Sequence, residues 1–296
     1  MSQTQVQKKI SKAITAVNDA IIGLSFKDPV IATFLRNTPV FIVNDKDNII
    51  FMFATAFTDG EAIYVGEDYF SRLDSERQKF VLAHEAYHMI LGHPIFMGRI
   101  DDYVEKSFRS MGRGVVEFLK VFAPYVFNVV TDAIINDILK KKGLPNPSGT
   151  VDLSNPDFSP GVFISSVLPP NILAKLPGFE DFVNKVVVEN SSIDATDIIL
   201  KRIAKVIKDV VKDEDIHVII EGVRERIRDR VKKSCSKEGG GVPLDDIKPL
   251  GSGDKLTEGK EKTNATGAEK RPIPEGAEKD LLDEYRRVVE KNLNDI

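Results

Sequence analysis

The run Phe80-Val81-Leu82-Ala83-His84-Glu85-Ala86-Tyr87-His88-Met89-Ile90-Leu91 constrains the fold more than any other stretch of the chain. Phe80, Val81, Tyr87 and Leu91 recur at helical spacing, and His84 and His88 fall on the same stripe, so both imidazoles face the core of the molecule. Two buried imidazoles one turn apart need a common partner. An HExxH pattern supplies one, because residues i and i+4 project from the same helix face and can share a zinc ion, with the glutamate between them reaching the metal's water. Three of the four histidines lie between 84 and 93. The helix has a readable start, with Asp74 or Ser75 as cap and Ser75 with Gln78 fitting a capping box.

A zinc site of this kind takes a third protein ligand and leaves its fourth position to water, so a second element must pack against the HExxH helix. His93 is the nearer candidate in sequence. On a continuous helix, however, it lies about 180° from His84 and about 140° from His88, at about 100° per residue. It reaches the metal only if the chain turns sharply at Gly92, and the spacing argues against it. The better candidate lies on a helix expected to start near Pro124 and to end at Gly143, after Lys140, Lys141 and Lys142. Its body is nearly all apolar, yet Asn128, Asp132 and Asn136 run through it at i, i+4 and i+8. That stripe suits either a solvent-facing edge or a site. Beside an HExxH helix it assigns Asp132 as third ligand and Asn136 as the amide that orients an imidazole through its free ring nitrogen, with Asn128 alongside.

HExxHxxxxHP from His84 to Pro94, followed by Asn128-xxx-Asp132-xxx-Asn136 and preceded by Thr55-Ala56-Phe57-Thr58-Asp59-Gly60, resembles the putative metallopeptidase domain of bacteria, archaea and their viruses. The resemblance covers residues from about 30 to 150. That domain is often followed by a von Willebrand factor A-like domain, for which the charged C-terminal part of this chain is expected to leave no room. The arrangement also resembles gluzincin peptidases of the thermolysin type, in which a carboxylate on a later helix is the third ligand and an acidic residue one turn on supports a histidine. Here aspartate and asparagine take those places, and the shorter ligand requires the two helices to approach more closely. The resemblance implies an α+β, mainly helical fold with a zincin-like core and a small β-sheet or hairpin before the HExxH helix.

The expected chemistry is hydrolysis of a peptide or protein substrate. Zinc held by His84, His88 and Asp132 activates a water, and Glu85 takes its proton and returns it to the leaving amine. Tyr87, Tyr103 and Tyr125 are nominal donors to the developing oxyanion. The alternative is a non-catalytic module in which zinc, closed by a fourth ligand such as His93, staples two helices for assembly.

With 296 residues, 42% of them hydrophobic, the chain can bury a sizeable core. A net charge of -4 gives no reason to expect nucleic acid, and no apolar run is expected to reach the ~20 residues that span a membrane. The lone Cys235 and the polar start point to a reducing, cytoplasmic setting in a cell or a virus-infected host cell.

Residues 1–150 read as the metallopeptidase core, opening with a helix whose buried stripe is Val6, Ile10, Ile14, Val17, Ile21 and Leu24. Strands are expected at 49–53 and 62–65 around Thr58-Asp59-Gly60, with Ala62–Val65 as an edge able to bind extended substrate. A helix over 101–122 is expected to break near Gly112 and Gly114. Residues 151–233 read as an extension packed on the core; the proline-rich stretch 144–178 leads from the core into it as a long loop, and two helices follow from 192. His217 is expected at the surface. Residues 234–279 have linker composition, and 280–296 an amphipathic pattern suited to docking on this chain or a protein partner.

Overall fold

A computed structural model describes residues 3–43, 56–144, 146–147, 149–211 and 215–236 as an array of helices around one small sheet, an α+β fold that is mainly helical. The first helix, α1 (Gln3–Leu24), buries Val17, Ala20, Ile21 and Leu24, whereas Ile14, expected on that stripe, is 47% exposed. Asp28 then caps α2 (Pro29–Asn37) by accepting from the Ile31 N–H, and Pro29 takes a first-turn position where a missing N–H is harmless.

The sheet comprises β1 (Val40–Val43), β2 (Ala56–Thr58) and β3 (Ile63–Gly66) in the order β1-β3-β2, with β1 parallel and β2 antiparallel to β3. Asp59 makes the turn between β2 and β3. Its Oδ1 accepts from the backbone N–H groups of Glu61 and Ala62, and Gly60 supplies the positive φ that follows. The Asp-Gly hairpin therefore forms, with Ala56–Thr58 as its first strand; the strand expected at 49–53 lies outside the described residues. β3 is not the edge expected from its sequence. Flanked on both sides, its backbone groups are committed to β1 and β2 and cannot take up a further strand. The strand facing the candidate site is β2.

After α3 (Glu67–Phe70), Asp74 caps α4 (Ser75–Ile90) by accepting from Arg77 N–H. The expected Ser75–Gln78 box does not form, because Gln78 is buried and its amide donates to the Phe70 carbonyl. Gly92, with a φ of 70°, ends that helix and begins α5 (His93–Met97). Next comes α6 (Ile100–Phe108) with a 3-10 turn, and the chain breaks at Gly112 as expected, while Gly114 is buried inside α7 (Arg113–Lys141). Pro124 thus sits within a 29-residue helix rather than at its start. Phe118, Leu119, Phe122, Ala123, Val126 and Phe127 are all buried around it, and burying them outweighs the ~3 kcal/mol that an interior proline costs.

The proline-rich stretch is a loop only in its first part, up to Asn155 among the described residues. Pro156, Pro160 and Pro170 each stand in the first turn of a short helix: a 3-10 turn at Pro156–Phe158, α8 (Pro160–Val167) and α9 (Pro170–Leu173). Then follow α10 (Phe179–Glu189), α11 (Ser192–Val210) and α12 (Ile216–Ser236), which buries Ile216, Ile220 and Val223 and leaves His217 exposed. The backbone of α12 continues through 234–236, where the linker was expected to begin.

Among the described residues, the buried side chains form two clusters. One gathers α1, α2, α4 and the sheet; the other gathers α6, α8, α10, α11 and the start of α12. α7 joins them, giving Phe122, Val126 and Val130 to the second cluster and Ile135 and Leu139 to the first. Contrary to the expectation from sequence, α7 is long and apolar enough to cross a membrane by length and composition, but it is mostly buried against these neighbours.

Candidate metal centre

The seam between the two clusters is where α4 meets α7. His84 and His88 lie one turn apart on α4, and Asn128, Asp132 and Asn136 occupy successive turns of α7. Nε2 of His84 and Nε2 of His88 are 3.0 Å apart. Asp132 Oδ1 lies 3.5 Å from the first and 3.2 Å from the second. These three residues converge ligand atoms within 4.8 Å of one another and could hold a metal ion. The second carboxylate oxygen of Asp132 accepts from Asn128 Nδ2.

Each imidazole is also held from behind. Nδ1 of His84 is 3.0 Å from Asn136 Oδ1, and the Asn136 amide donates to the Val151 carbonyl at 2.8 Å. Asn136 is buried, so the solvent-edge alternative for its stripe does not describe this end of it, although Asn128 is exposed. Nδ1 of His88 is 3.0 Å from Nδ1 of His93, whose Nε2 lies 3.3 Å from Ser192 Oγ at the start of α11. The rotation that set His93 far from His88 assumed an unbroken helix. Gly92 in the left-handed region folds His93 back, onto the outer ring nitrogen of His88 rather than into the group with Asp132.

The charges in this cluster shift one another. Burial favours a neutral Asp132, but hydrogen bonds and charge from His84 and His88 outweigh it and hold the carboxyl well below its ordinary range. Burial likewise opposes charge on His84, yet Asp132, Glu85 and Asn136 together raise its pKa. Glu85 is pushed up by burial, with Asp132 adding to the effect. His93 is held well below the usual histidine value by burial and by the neighbouring His88.

Glu85 opens on a cavity of about 490 Å³. Apart from Glu85, His84, His88, Asp132 and His93, the wall carries no charged side chain among the described residues; Phe57 of β2, Phe80, Met97, Phe127 and Phe163 give it an apolar lining. The three tyrosines expected as oxyanion donors are committed elsewhere: Tyr87 to Asp28, Tyr103 to Asp197, and Tyr125 to the Phe163 carbonyl. Tyr69 of α3 lines the cavity instead. Sequence carried no signal for Tyr69, Val151 or Ser192, since each meets the site only through the packing of separate elements.

Residues 13–157 match the putative metallopeptidase domain family. The match spans His84, Glu85, His88, His93, Asp132 and Asn136 and ends before α8. No curated protein and no solved structure matches the chain.

Proposed function

Because residues 13–157 match the putative metallopeptidase domain family, we propose that the chain is a zinc-dependent peptidase in which Glu85 is the general base. The observation that carries this reading is the convergence of His84, His88 and Asp132 beside a glutamate that opens on a cavity. Zinc–imidazole distances of about 2.0–2.1 Å place neighbouring ligand atoms of a tetrahedron about 3.3 Å apart. The spacings of 3.0, 3.2 and 3.5 Å fit that ion.

Bound zinc supplies an activated water near neutral pH and a Lewis acid for the scissile carbonyl. The chain's own residues do the rest. His84 and His88 would hold the ion through Nε2 and Asp132 through Oδ1, while Asn136 fixes the ring of His84 and Asn128 restrains the other oxygen of Asp132. The close approach of α4 and α7 makes the short aspartate sufficient where a longer carboxylate would otherwise be needed. Glu85 accepts the water proton and returns it to the leaving amine, and its raised pKa suits a group that must both take and give a proton. Tyr69, which lines the cavity, is the tyrosine we assign as donor to a polarised carbonyl. A closed structural site takes four protein ligands, whereas the group among the described residues has three, which favours the catalytic reading over a zinc-stapled interaction module.

Full-length protein loaded with zinc should cleave members of a mixed peptide library, with fragments read by mass spectrometry. Glu85→Gln should keep about one zinc per chain and lose cleavage by about 10²–10⁴-fold. Asp132→Ala should lose the metal. Cleavage that survives in Glu85→Gln would overturn the mechanism.

A further inference from the structure

His88 is held by a residue pair that reaches beyond the family-matched segment. We propose that His93 is a positioning residue for His88 and that Ser192 of α11 fixes His93, so that a helix outside residues 13–157 completes the metal centre. This rests on His88 being a ligand, as argued above.

The proton positions follow from that role. A ligating Nε2 uses its lone pair, which places the imidazole proton of His88 on Nδ1. That N–H then donates to the nitrogen 3.0 Å away, Nδ1 of His93, which must accept. A neutral His93 accepting at Nδ1 carries its own proton on Nε2, and there Ser192 Oγ stands at 3.3 Å to accept it. Each donor meets an acceptor in this arrangement. The tautomer that puts the His93 proton on Nδ1 would instead set two N–H groups against each other.

Burial makes the chain of contacts effective. His93 is 3% and Ser192 8% exposed, so water does not compete for either hydrogen bond. The His93 ring also packs edge-on against Phe127 of α7, with centroids 5.5 Å apart, and the flanking Gly92 and Pro94 set its backbone. The two ligand histidines are thus supported from different parts of the molecule. Asn136 and Val151, both inside the matched segment, serve His84; His93 and then α11 serve His88.

The test uses full-length wild type, His93→Leu, His93→Asn and Ser192→Ala. Zinc affinity is measured by competition with a chromophoric chelator, the ligand field by the visible spectrum of the cobalt(II)-substituted protein, and folding by circular dichroism. His93→Leu should weaken zinc by about 10–100-fold and change the cobalt bands, the range expected when a partner behind a ligand is removed. His93→Asn, whose Oδ1 can accept where Nδ1 did, should recover most of that loss, and Ser192→Ala should weaken zinc by a smaller factor. Wild-type affinity and spectrum in His93→Leu, or equal losses in the Leu and Asn variants, would overturn the positioning role. An unchanged Ser192→Ala would remove α11 from the centre. Should His93→Leu fail to fold, the Asn and Ala variants decide. A wild type that binds no zinc sinks this proposal and the peptidase reading together, whereas zinc binding sensitive to His93 without any peptide cleavage sinks only the peptidase reading.

Discussion

A single buried carboxylate does much of the work of holding the ligand-bearing helices in register. Asp28 caps α2, accepts from the Tyr87 hydroxyl of α4 at 3.0 Å, and pairs with Lys142 just past α7 at 2.8 Å. Asp59 organises the β2–β3 turn in a similar way. Burial raises its pKa, but hydrogen bonds from the Glu61 and Ala62 backbone and from Tyr64 outweigh it, and the net shift is downward from 3.8. A lowered folded pKa means that the unfolded chain binds protons more readily in acid. The stabilisation is therefore fully present above the ordinary aspartate range and is lost as pH falls through the folded value. Asp59→Ala should cost up to about 1 kcal/mol at pH 7 by urea unfolding, less where solvent screens the exposed carboxylate, and that deficit should shrink as pH falls below the ordinary aspartate range. A pH-independent deficit would mean that the charge is not what the variant removes. The turn itself was legible, because Asp-Gly has a local mechanism; the Asp28 contacts, 59 residues apart in the case of Tyr87, were not.

At the level of elements, glycine and proline explain most departures from sequence periodicity. Gly92 redirects His93 toward His88, and first-turn prolines start helices in a stretch whose composition reads as loop. Gly161 does something no local pattern reveals. A Cβ built on it would lie 2.4 Å from the Glu180 carbonyl oxygen, so α8 and α10 touch backbone to backbone there, and the Gly161 N–H donates to Asn184. Gly161→Ala should cost about 2–3 kcal/mol in denaturant unfolding, because backbone cannot retreat as a flexible side chain can. Gly98→Ala, whose nearest neighbour is 3.5 Å away, serves as the control and should be nearly neutral. Equal effects of the two substitutions would refute the close contact. Since α8 carries Phe163 into the cavity wall, the Gly161 variant should also disturb the site.

For the whole molecule, the candidate metal centre lies where two hydrophobic clusters share α7, so an ion bound there would bridge α4 and α7 and tie the two clusters together. Binding to the folded state alone stabilises by about 2.7 kcal/mol at a free ligand concentration 100 times Kd. At about 2–4 °C per kcal/mol for a protein of this size, chelating the metal should lower Tm by about 5–10 °C in calorimetry. Asp132→Ala should show no such chelator effect; a wild type whose Tm ignores chelator and added zinc alike would argue against an ion at this seam.

Local pattern determined the helical character of α1, α4 and α11, the break at Gly112, the hairpin turn at Asp59-Gly60 and the spacing of His84, Glu85, His88, Asp132 and Asn136 along their helices. These depend on periods and turn chemistry that act within a few residues. Tertiary structure alone decided that Pro124 lies inside α7, that β3 is central, that three tyrosines are bound elsewhere, and that Asn136 finds Val151 while His93 finds Ser192. Those outcomes depend on the burial of apolar faces contributed by distant segments, and only their packing brings Ser192 within reach of a histidine 99 residues earlier.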